Sequence, residues 1–220
     1  MDGLDEFRMY LESGNKEACV SFGLDGLASG KLDIRSLYEG YLKVGLDRLT
    51  CDMKEKDLCI WKEHISTAIV RTIIECAYPY VIRERDKRGS TKKGKSVVLC
   101  PEGEYHEVGA RMITDYLTIL GFDALFLGSS TPKEEVLRAV QVLDLDLIAL
   151  SVTNYYNLVA AKKMVDVIRS KAGKKVCIIA GGQAFESNAG ACTQINADRL
   201  VRSFEDLESI ETLLKKGGDV

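Results

Sequence analysis

The spacing of apolar residues separates the chain into two regions with different predicted structures. In residues 1–82 apolar side chains recur every three or four positions, which is typical of amphipathic helices. Gly14 and Gly30 interrupt this pattern, and Asp33 is placed to cap the third helical segment. The four segments are LDEFRMYLES, KEACVSFGLDGLA, DIRSLYEGYLKVGLDRL and KDLCIWKEHISTAIVRTIIECAYPYV. With short loops between them, they predict an antiparallel four-helix bundle as the first domain.

A basic segment follows the helical region. Residues 83–96 read RERDKRGSTKKGKS and contain seven basic residues, two acidic residues and no apolar residue. This composition predicts a solvated linker over residues 83–95. The segment lacks interleaved aromatic residues and lies between two domains, so we do not expect it to bind nucleic acid.

From residue 96 onwards the pattern changes to short apolar runs that alternate with helical stretches. The predicted strands are SVVLC, FDALFLG, DLIALSV, KVCIIAGG and RLV. Five strands, each followed by a helix, predict an α/β domain over residues 96–220 with helices on both faces of a parallel sheet. The expected strand order is the flavodoxin-like 2-1-3-4-5. Thr131 and Glu134 match a capping box, with Pro132 at the first helical position.

Composition and charge narrow the function classes. The chain has 220 residues, 46% of them apolar, and a net charge of −3, so neither nucleic acid nor an anionic lipid surface is indicated as a partner. It has no signal-peptide pattern and no apolar run of about 18 residues, which predicts a cytoplasmic protein without a membrane span. The seven cysteines include no CxxC pair and lie mostly in apolar runs, which predicts reduced core residues rather than a zinc site.

The first predicted strand ends in PEGEYHEVG, which holds one of the two histidines of the chain. Ligands of open α/β sheets bind beyond the carboxyl ends of the strands, so Glu104, His106 and Gly109 lie at the expected edge. Two interpretations are open. The stretch is a helix N-terminus with favourable acidic residues and a surface histidine, or His106 is a metal ligand whose other ring N–H donates to the nearby Glu104 carboxylate.

Polar residues also end the third predicted strand, in LSVTNYYN. Ser151 and Thr153 are placed to complete a hydrogen-bond chain or to contact a polar arm of a ligand. The alternative is ordinary helix capping by Asn154 or Asn157.

The fourth predicted strand ends in AGGQAFES. Gly181 and Gly182 permit close approach of the backbone, but the segment is neither a Walker loop nor GxGxxG. We therefore favour space for a bulky group lying against the backbone over a phosphate site.

Together, the three loops resemble the signature of the cobalamin-binding domain family. That signature is DxHxxG after strand one, SxL or SxT after strand three, and GG after strand four. The matching residues are Glu104-x-His106-x-x-Gly109, Ser151-x-Thr153 and Gly181-Gly182. The one departure is Glu104, where the family has aspartate. The resemblance covers residues 96–215.

The resemblance implies that cobalamin binds in a base-off, His-on form. His106 is then the lower axial ligand of cobalt, and the dimethylbenzimidazole tail enters a slot lined by Ser151, Gly181 and Gly182.

The resemblance also implies that the helical domain covers the upper face of the corrin. In the sensory branch of the family this cap carries W-x9-EH, and Glu63-His64 is similar to its last two residues. Met53 stands where the tryptophan would be, and Trp61 is out of register, so Met53, Glu63 and His64 are expected upper-face residues. From the residues alone, His64 also fits a core histidine beside an apolar stripe.

Two functions follow from this resemblance. The first is a sensory or regulatory corrinoid-binding module that acts through a regulator or through oligomerisation. The alternative is the methyl-carrying corrinoid subunit of a multi-component methyltransferase system, with a methyltransferase as partner and the basic linker as a hinge. In either case the chain alone is not expected to catalyse a reaction. A mutase subunit is not favoured because the chain has no barrel to house a substrate radical.

Overall fold

The computed structural model of the chain describes residues 3–47, 56–172, 176–186 and 190–210. It divides into two compact units, Met1–Glu84 and Arg85–Val220.

The first unit is helical. Its elements are α1 (Gly3–Glu12), α2 (Lys16–Ala28), a π-helical segment (Ser36–Lys43) that continues into α3 (Val44–Asp47), and α4 (Lys56–Arg88). The Asp33 carboxylate accepts the backbone N–H of Ser36 at 2.7 Å, so Asp33 satisfies a free donor at the start of the third helical segment, as its sequence position predicts. The prediction of a helical N-terminal part with four segments is confirmed.

Aromatic and aliphatic side chains form the core of this unit. The ring centroids of Phe7 and Phe22 lie 5.5 Å apart, and those of Phe22 and Tyr41 lie 5.2 Å apart. A Cβ atom at Gly23 would lie 3.1 Å from Cγ2 of Ile73, so the glycine allows α2 to pack closely on α4. The helical elements therefore share one buried interior.

The basic segment differs from the predicted linker. Helix α4 continues to Arg88, and the first strand begins at Gly94, so only the residues between them are neither helix nor strand. Lysine and arginine are good helix formers, and the basic residues in the last turn are favoured by the helix dipole. The Arg88 guanidinium forms an ion pair with Glu208 and lies 5.8 Å from the ring centroid of Phe204.

The length and composition of helix α4 are relevant to the prediction that no segment spans a membrane. Its residues Ile60–Arg88 are long and apolar enough to do so by length and composition alone. However, 39% of its most apolar stretch is buried inside the structure, and core helices of globular proteins pass the same test. Composition alone therefore gives only weak evidence for a membrane span.

The second unit contains a five-stranded parallel sheet. The strands are β1 (Gly94–Pro101), β2 (Phe122–Thr131), β3 (Leu147–Ser151), β4 (Cys177–Gly181) and β5 (Arg199–Leu200). They are ordered β2-β1-β3-β4-β5, and every neighbouring pair is parallel. The predicted flavodoxin-like order is therefore confirmed.

Helices cover both faces of this sheet. They are α5 (Val108–Ile119), α6 (Lys133–Leu143), α7 (Leu158–Lys171), α8 (Ala191–Gln194) and α9 (Phe204–Glu208). Right-handed crossovers put α6, α7 and α8 on one face, where Val136, Met164 and Ile178 belong to a single buried cluster. On the other face the Tyr116 ring of α5 meets the Phe204 ring of α9 at 5.1 Å.

The predicted capping box of α6 is not formed. Thr131 is the last residue of β2, and its hydroxyl donates to the Gly128 carbonyl at 3.1 Å and accepts no N–H from the helix. Helix α6 begins at Lys133 without a side-chain cap. The helix begins one residue later than predicted, because Pro132 is its N-cap in an extended conformation with a ψ of 141°, and the acidic first turn favours this N-terminus.

Candidate functional site

Glu104, in the loop after β1, is a fully buried carboxylate. Its Oε1 atom accepts the backbone N–H of His106 at 3.1 Å and lies 2.5 Å from Nδ1 of the same histidine. Its Oε2 atom accepts the backbone N–H groups of Thr153 at 3.0 Å and Asn154 at 2.8 Å, and the side-chain amide of Asn157 at 3.1 Å. One carboxylate thus joins the loop after β1 to the loop after β3.

These donors keep the carboxylate ionised. Burial by itself raises the pKa of Glu104, because a charge is poorly solvated in the protein interior. The hydrogen bonds from Asn154, Asn157 and His106 outweigh burial and hold the pKa of Glu104 below its usual range. At neutral pH Glu104 is therefore a fixed negative charge at the base of the loop.

The ionised carboxylate determines the tautomer of His106. Since Oε1 can only accept, Nδ1 carries a proton, and in the neutral imidazole Nε2 is the nitrogen with the lone pair. The side chain of His106 is 54% exposed, and in the described part of the chain Nε2 forms no hydrogen bond. This arrangement suits a metal ligand, because a carboxylate that accepts the second N–H both orients the imidazole and raises its basicity.

Cys100, the penultimate residue of β1, contacts the same loop. Its Sγ atom lies 3.6 Å from the His106 carbonyl oxygen. Burial, reinforced by the charges of Glu104 and Glu107, raises the pKa of the Cys100 thiol to about 12. The thiol therefore stays protonated and donates a weak hydrogen bond.

The three predicted loops meet at one edge of the sheet. Ser151 ends β3 and is paired with Gly181 of β4. A Cβ atom at Gly109, in the first turn of α5, would lie 3.9 Å from Oγ of Ser151. The structure thus brings Gly109, Ser151 and Gly181 together beside the Glu104–His106 pair.

The two glycines after β4 have a structural reason of their own. A Cβ atom at Gly181 would lie 2.7 Å from the Val201 carbonyl oxygen, which is too close for any side chain. Gly182 has a φ of 108°, and its Cβ would collide with the Val152 carbonyl. On the Cβ side of both glycines, the residues that follow β3 and β5 therefore occupy the space in which we expected a bulky group.

The loop after β3 uses different groups from those expected. Thr153 contacts Glu104 through its backbone N–H rather than its hydroxyl. The Asn154 side chain caps a short 3₁₀ turn by accepting the N–H of Tyr156 at 3.1 Å, so the capping alternative applies there. Asn157 does not cap α7, but donates to Glu104 and, at 3.2 Å, to the Gly103 carbonyl. Its amide, in a polar loop at the same edge, was the available sequence signal for this role.

The remaining predicted residues belong to the helical unit. Glu63 and His64 both lie on an exposed part of α4. The interpretation of His64 as a core histidine is therefore wrong, since Ser66 and Ile69 are the residues that this part of the helix buries. Met53 lies outside the described residues. The assignment of Met53, Glu63 and His64 to a cofactor stays a prediction.

His106 would serve as the single protein ligand of a metal. Among the described residues, no group of three or more His, Cys, Asp or Glu side chains is arranged to hold a metal ion. A lone imidazole is the typical protein contribution when a macrocycle supplies the other ligands, as in haem proteins. The donor set of this edge therefore fits a metal macrocycle better than a bare ion.

Similarity to a known protein family indicates which metal macrocycle fits this site. The model of the B12 binding domain matches residues 94–209. The chain belongs to the B12-binding domain family. The match covers more than half of the chain and includes all three loops, so the resemblance to the cobalamin-binding family and the prediction of cobalamin as cofactor are confirmed.

Among relatives, this B12-binding protein is 34% identical over 109 residues to the methanol–corrinoid protein of Methanosarcina barkeri. The alignment covers 47% of this chain and 41% of that relative, so the chain spans less than half of that protein's length.

Solved structures show the same fold. The monomethylamine corrinoid protein of Methanosarcina barkeri is 17% identical, with a TM-score of 0.78 over 98% of both chains. The methanol:cobalamin methyltransferase complex from the same organism contains a chain that is 21% identical, with a TM-score of 0.51 over 98% of this chain and 80% of that one. None of these relatives is described as a sensor, so the sensory branch receives no specific support.

Proposed function

We propose that the chain is the methyl-carrying corrinoid subunit of a multi-component methyltransferase system. The observation that carries the proposal is the buried Glu104 carboxylate hydrogen-bonded to Nδ1 of His106, beside the other signature residues. His106 would then hold the cobalt of a corrinoid through Nε2, in a base-off, His-on complex.

The protein's contribution is to hold the imidazole ready. Glu104 accepts from Nδ1, so in the neutral imidazole Nε2 is the nitrogen that offers a lone pair. Five hydrogen bonds to Glu104 and its burial limit the movement of that loop. A bound corrinoid supplies the cobalt to which a methyl group can be attached and from which it can be passed on.

The tail of the cofactor requires a slot beside the same edge. We assign its walls to Gly109, Ser151, Thr153, Gly181 and Gly182. A Cβ atom at Gly109 would lie 3.9 Å from Oγ of Ser151, and Ser151 is paired with Gly181, which supports a shared location. Because the Cβ sides of Gly181 and Gly182 face carbonyl groups of the chain, the tail would approach them from the opposite side.

The relatives favour a carrier over a sensor. They are named for methanol and monomethylamine, and one solved relative is part of a methyltransferase complex. The sensory interpretation is based on Glu63-His64 and on a likeness of the stretch around GGQAF to the sensory branch. Glu63-His64 lacks the tryptophan of the sensory pattern and lies exposed on α4. A methyltransferase is therefore the proposed protein partner.

The cysteines support a cytoplasmic location. Of the residues that the structure describes, Cys19, Cys76, Cys100 and Cys192 are free thiols. Free thiols in this number are typical of a reducing compartment.

Methyl transfer to the loaded chain tests the proposal. The full chain is loaded with hydroxocobalamin, reduced with titanium(III) citrate and mixed with a purified methanol- or methylamine-specific methyltransferase and its radiolabelled methyl donor. We expect label to become associated with the protein-bound cofactor in at least one pairing, and not in the His106→Ala variant. If every pairing fails while exchange of the upper ligand or illumination changes the oligomeric state, the sensory interpretation replaces the proposal.

A further inference from the structure

Ser130, the penultimate residue of β2, has a backbone conformation that is uncommon for its residue type. Its φ is 48°, in the left-handed region that few residues other than glycine, asparagine and aspartate occupy. A strained backbone of this kind persists only where the surrounding structure holds it, and it occurs often near functional sites. The contacts of Ser130 therefore indicate what this conformation achieves.

Extra residues in β2 account for the conformation. Val98 and Pro101 of β1 are three positions apart in sequence, whereas their partners in β2, Phe126 and Thr131, are five positions apart. The stretch of β2 that contains Ser130 is therefore two residues longer than the stretch of β1 beside it, and the pairing is irregular there. Bulges of this kind bend a strand and change the direction of a side chain.

Ser130 holds the turn that leads into Glu104. The turn is closed by the Glu104 N–H, which donates to the Pro101 carbonyl at 2.9 Å, and Gly103 lies within it at a φ of 84°. The Gly103 N–H is not used by this closing bond and donates to Oγ of Ser130 at 3.1 Å. The N–H of Ser130 in turn donates to the Glu104 carbonyl at 2.8 Å. Ser130 thus holds the main chain of the turn at two points.

These contacts complement those that the loop after β3 makes. Thr153 and Asn154 donate to the side chain of Glu104, whereas Ser130 contacts the main chain on either side of that side chain's origin. A carboxylate keeps one direction only if its backbone is fixed as well. Since Oε1 lies 2.5 Å from Nδ1 of His106, a small shift of the turn would separate the two groups.

Resting on the function proposed above, we propose that Ser130 is a positioning residue for the cobalt ligand His106. Its hydroxyl and its N–H fix the main chain of Gly103 and Glu104, so that the carboxylate meets Nδ1 and Nε2 is the nitrogen available to a metal. Ser130 therefore acts on the imidazole through Glu104. The hydroxyl is the part of this arrangement that a substitution removes without changing Glu104 or His106 themselves.

Ring-nitrogen NMR of the unloaded full chain tests the proposal without a cofactor. The chain carries isotope-labelled histidine in a His64→Gln background, so that His106 is its only histidine. At about pH 9, where the imidazole is neutral, the nitrogen shifts report the proportions of the Nδ1–H and Nε2–H tautomers. The variants are Ser130→Ala and Ser130→Gly. The matched control is Thr131→Val, which removes a hydroxyl that is bonded to the Gly128 carbonyl within the same loop.

We expect the ratio of the Nδ1–H to the Nε2–H tautomer to fall about threefold to tenfold in Ser130→Ala, as for the loss of one hydrogen bond. Ser130→Gly should show the same fall because it also lacks the hydroxyl. Since glycine adopts a positive φ without strain, this variant tests the hydroxyl even if the alanine variant folds poorly. Thr131→Val should keep the ratio within about twofold of the wild type.

Corrinoid binding by the same variants connects the tautomer to the cofactor. Hydroxocobalamin should bind to both Ser130 variants about threefold to tenfold more weakly, with a smaller fraction of the His-on absorption spectrum at saturation. Urea denaturation of the unloaded variants measures stability separately. A merely structural role for Ser130 would lower the free energy of unfolding and leave the tautomer ratio and the His-on fraction unchanged, which would overturn the proposal.

The remaining results separate this proposal from the proposed function. If both Ser130 variants keep the wild-type tautomer ratio while the wild type binds hydroxocobalamin His-on, the positioning role is overturned and the proposed function stands. If only the alanine variant departs from the wild type, backbone strain and not the hydroxyl is responsible, and the proposal is again overturned. If the wild type forms no His-on complex, the proposed function fails, and the tautomer ratios alone decide whether Ser130 orients the imidazole.

Discussion

The two histidines of the chain each have a glutamate close by in sequence, yet the structure treats the two pairs differently. Glu104 is fully buried and lies 2.5 Å from Nδ1 of His106. Glu63 and His64 are neighbours on α4, and both are exposed. Successive residues of a helix do not face each other, whereas a loop residue two positions away can turn back towards its partner.

The difference lies in the surroundings of the carboxylate rather than in the residue types. Glu104 receives three N–H donors from the loop after β3, in addition to its two contacts with His106. An exposed ionic pair gains little, because water and salt screen it and its side chains remain free to move. A Glu–His pair holds its imidazole in one orientation when the carboxylate is buried and both of its oxygens accept hydrogen bonds.

The largest expected effect comes from neutralising the buried carboxylate. Glu104→Gln brings an amide donor among groups that already donate, so we expect the free energy of unfolding to fall by about 2–3 kcal/mol. Urea denaturation of the unloaded chain measures this change. The matched control is Glu63→Gln, for which a change within about 0.5 kcal/mol is expected. Equal effects at the two positions would contradict the distinction between the pairs.

The second expected effect concerns the histidines. His106→Ala should weaken hydroxocobalamin binding by roughly 10-fold to 100-fold and abolish the His-on absorption spectrum. Its stability should change little, since 54% of the side chain is exposed. His64→Ala is the control and should keep the spectrum. A His-on spectrum that persists in His106→Ala would refute the axial assignment.

The sequence predicted the fold well because the relevant signals are local. Apolar runs that alternate with helical periods predict the five strands, and the ligand-binding edge follows from the parallel order. The limits of α4 were harder to predict, since Arg85, Lys87 and Arg88 are compatible with both a solvated linker and a final helical turn. Only their tertiary partners, such as Glu208 for Arg88, favour the helix.

The candidate site was predicted in part for a related reason. Glu104 and His106 are two residues apart, so their pairing was an explicit hypothesis. Three of the donors that stabilise the ionised Glu104 carboxylate come from about 50 residues further along the chain. Two of these three are the backbone N–H groups of Thr153 and Asn154. Backbone groups leave no trace in residue identity. Likewise, the close approach of Val201 to Gly181 depends on strand packing that a local motif does not contain.

Acidification should reduce the stabilisation that the ionised Glu104 carboxylate contributes to the folded chain. Its pKa is held below the usual range in the folded chain and returns to about 4.3 on unfolding. Its stabilisation is therefore fully present above about pH 4.3 and is lost as the pH falls through the lower folded value. The difference in unfolding free energy between wild type and Glu104→Gln should be constant near neutral pH and shrink below about pH 4. A difference that grows on acidification would show that the sign is wrong.

The smallest expected effect belongs to the pair on α4, in the double variant Glu63→Gln/His64→Gln. Because both side chains are exposed, we expect a change in unfolding free energy within about 0.5 kcal/mol. No buried carboxylate orients the His64 ring, so corrinoid affinity should change by less than roughly threefold, in contrast to His106→Ala. Urea denaturation and a hydroxocobalamin titration measure the two quantities. A tenfold loss of affinity at unchanged stability would mean that this exposed pair contacts the cofactor directly.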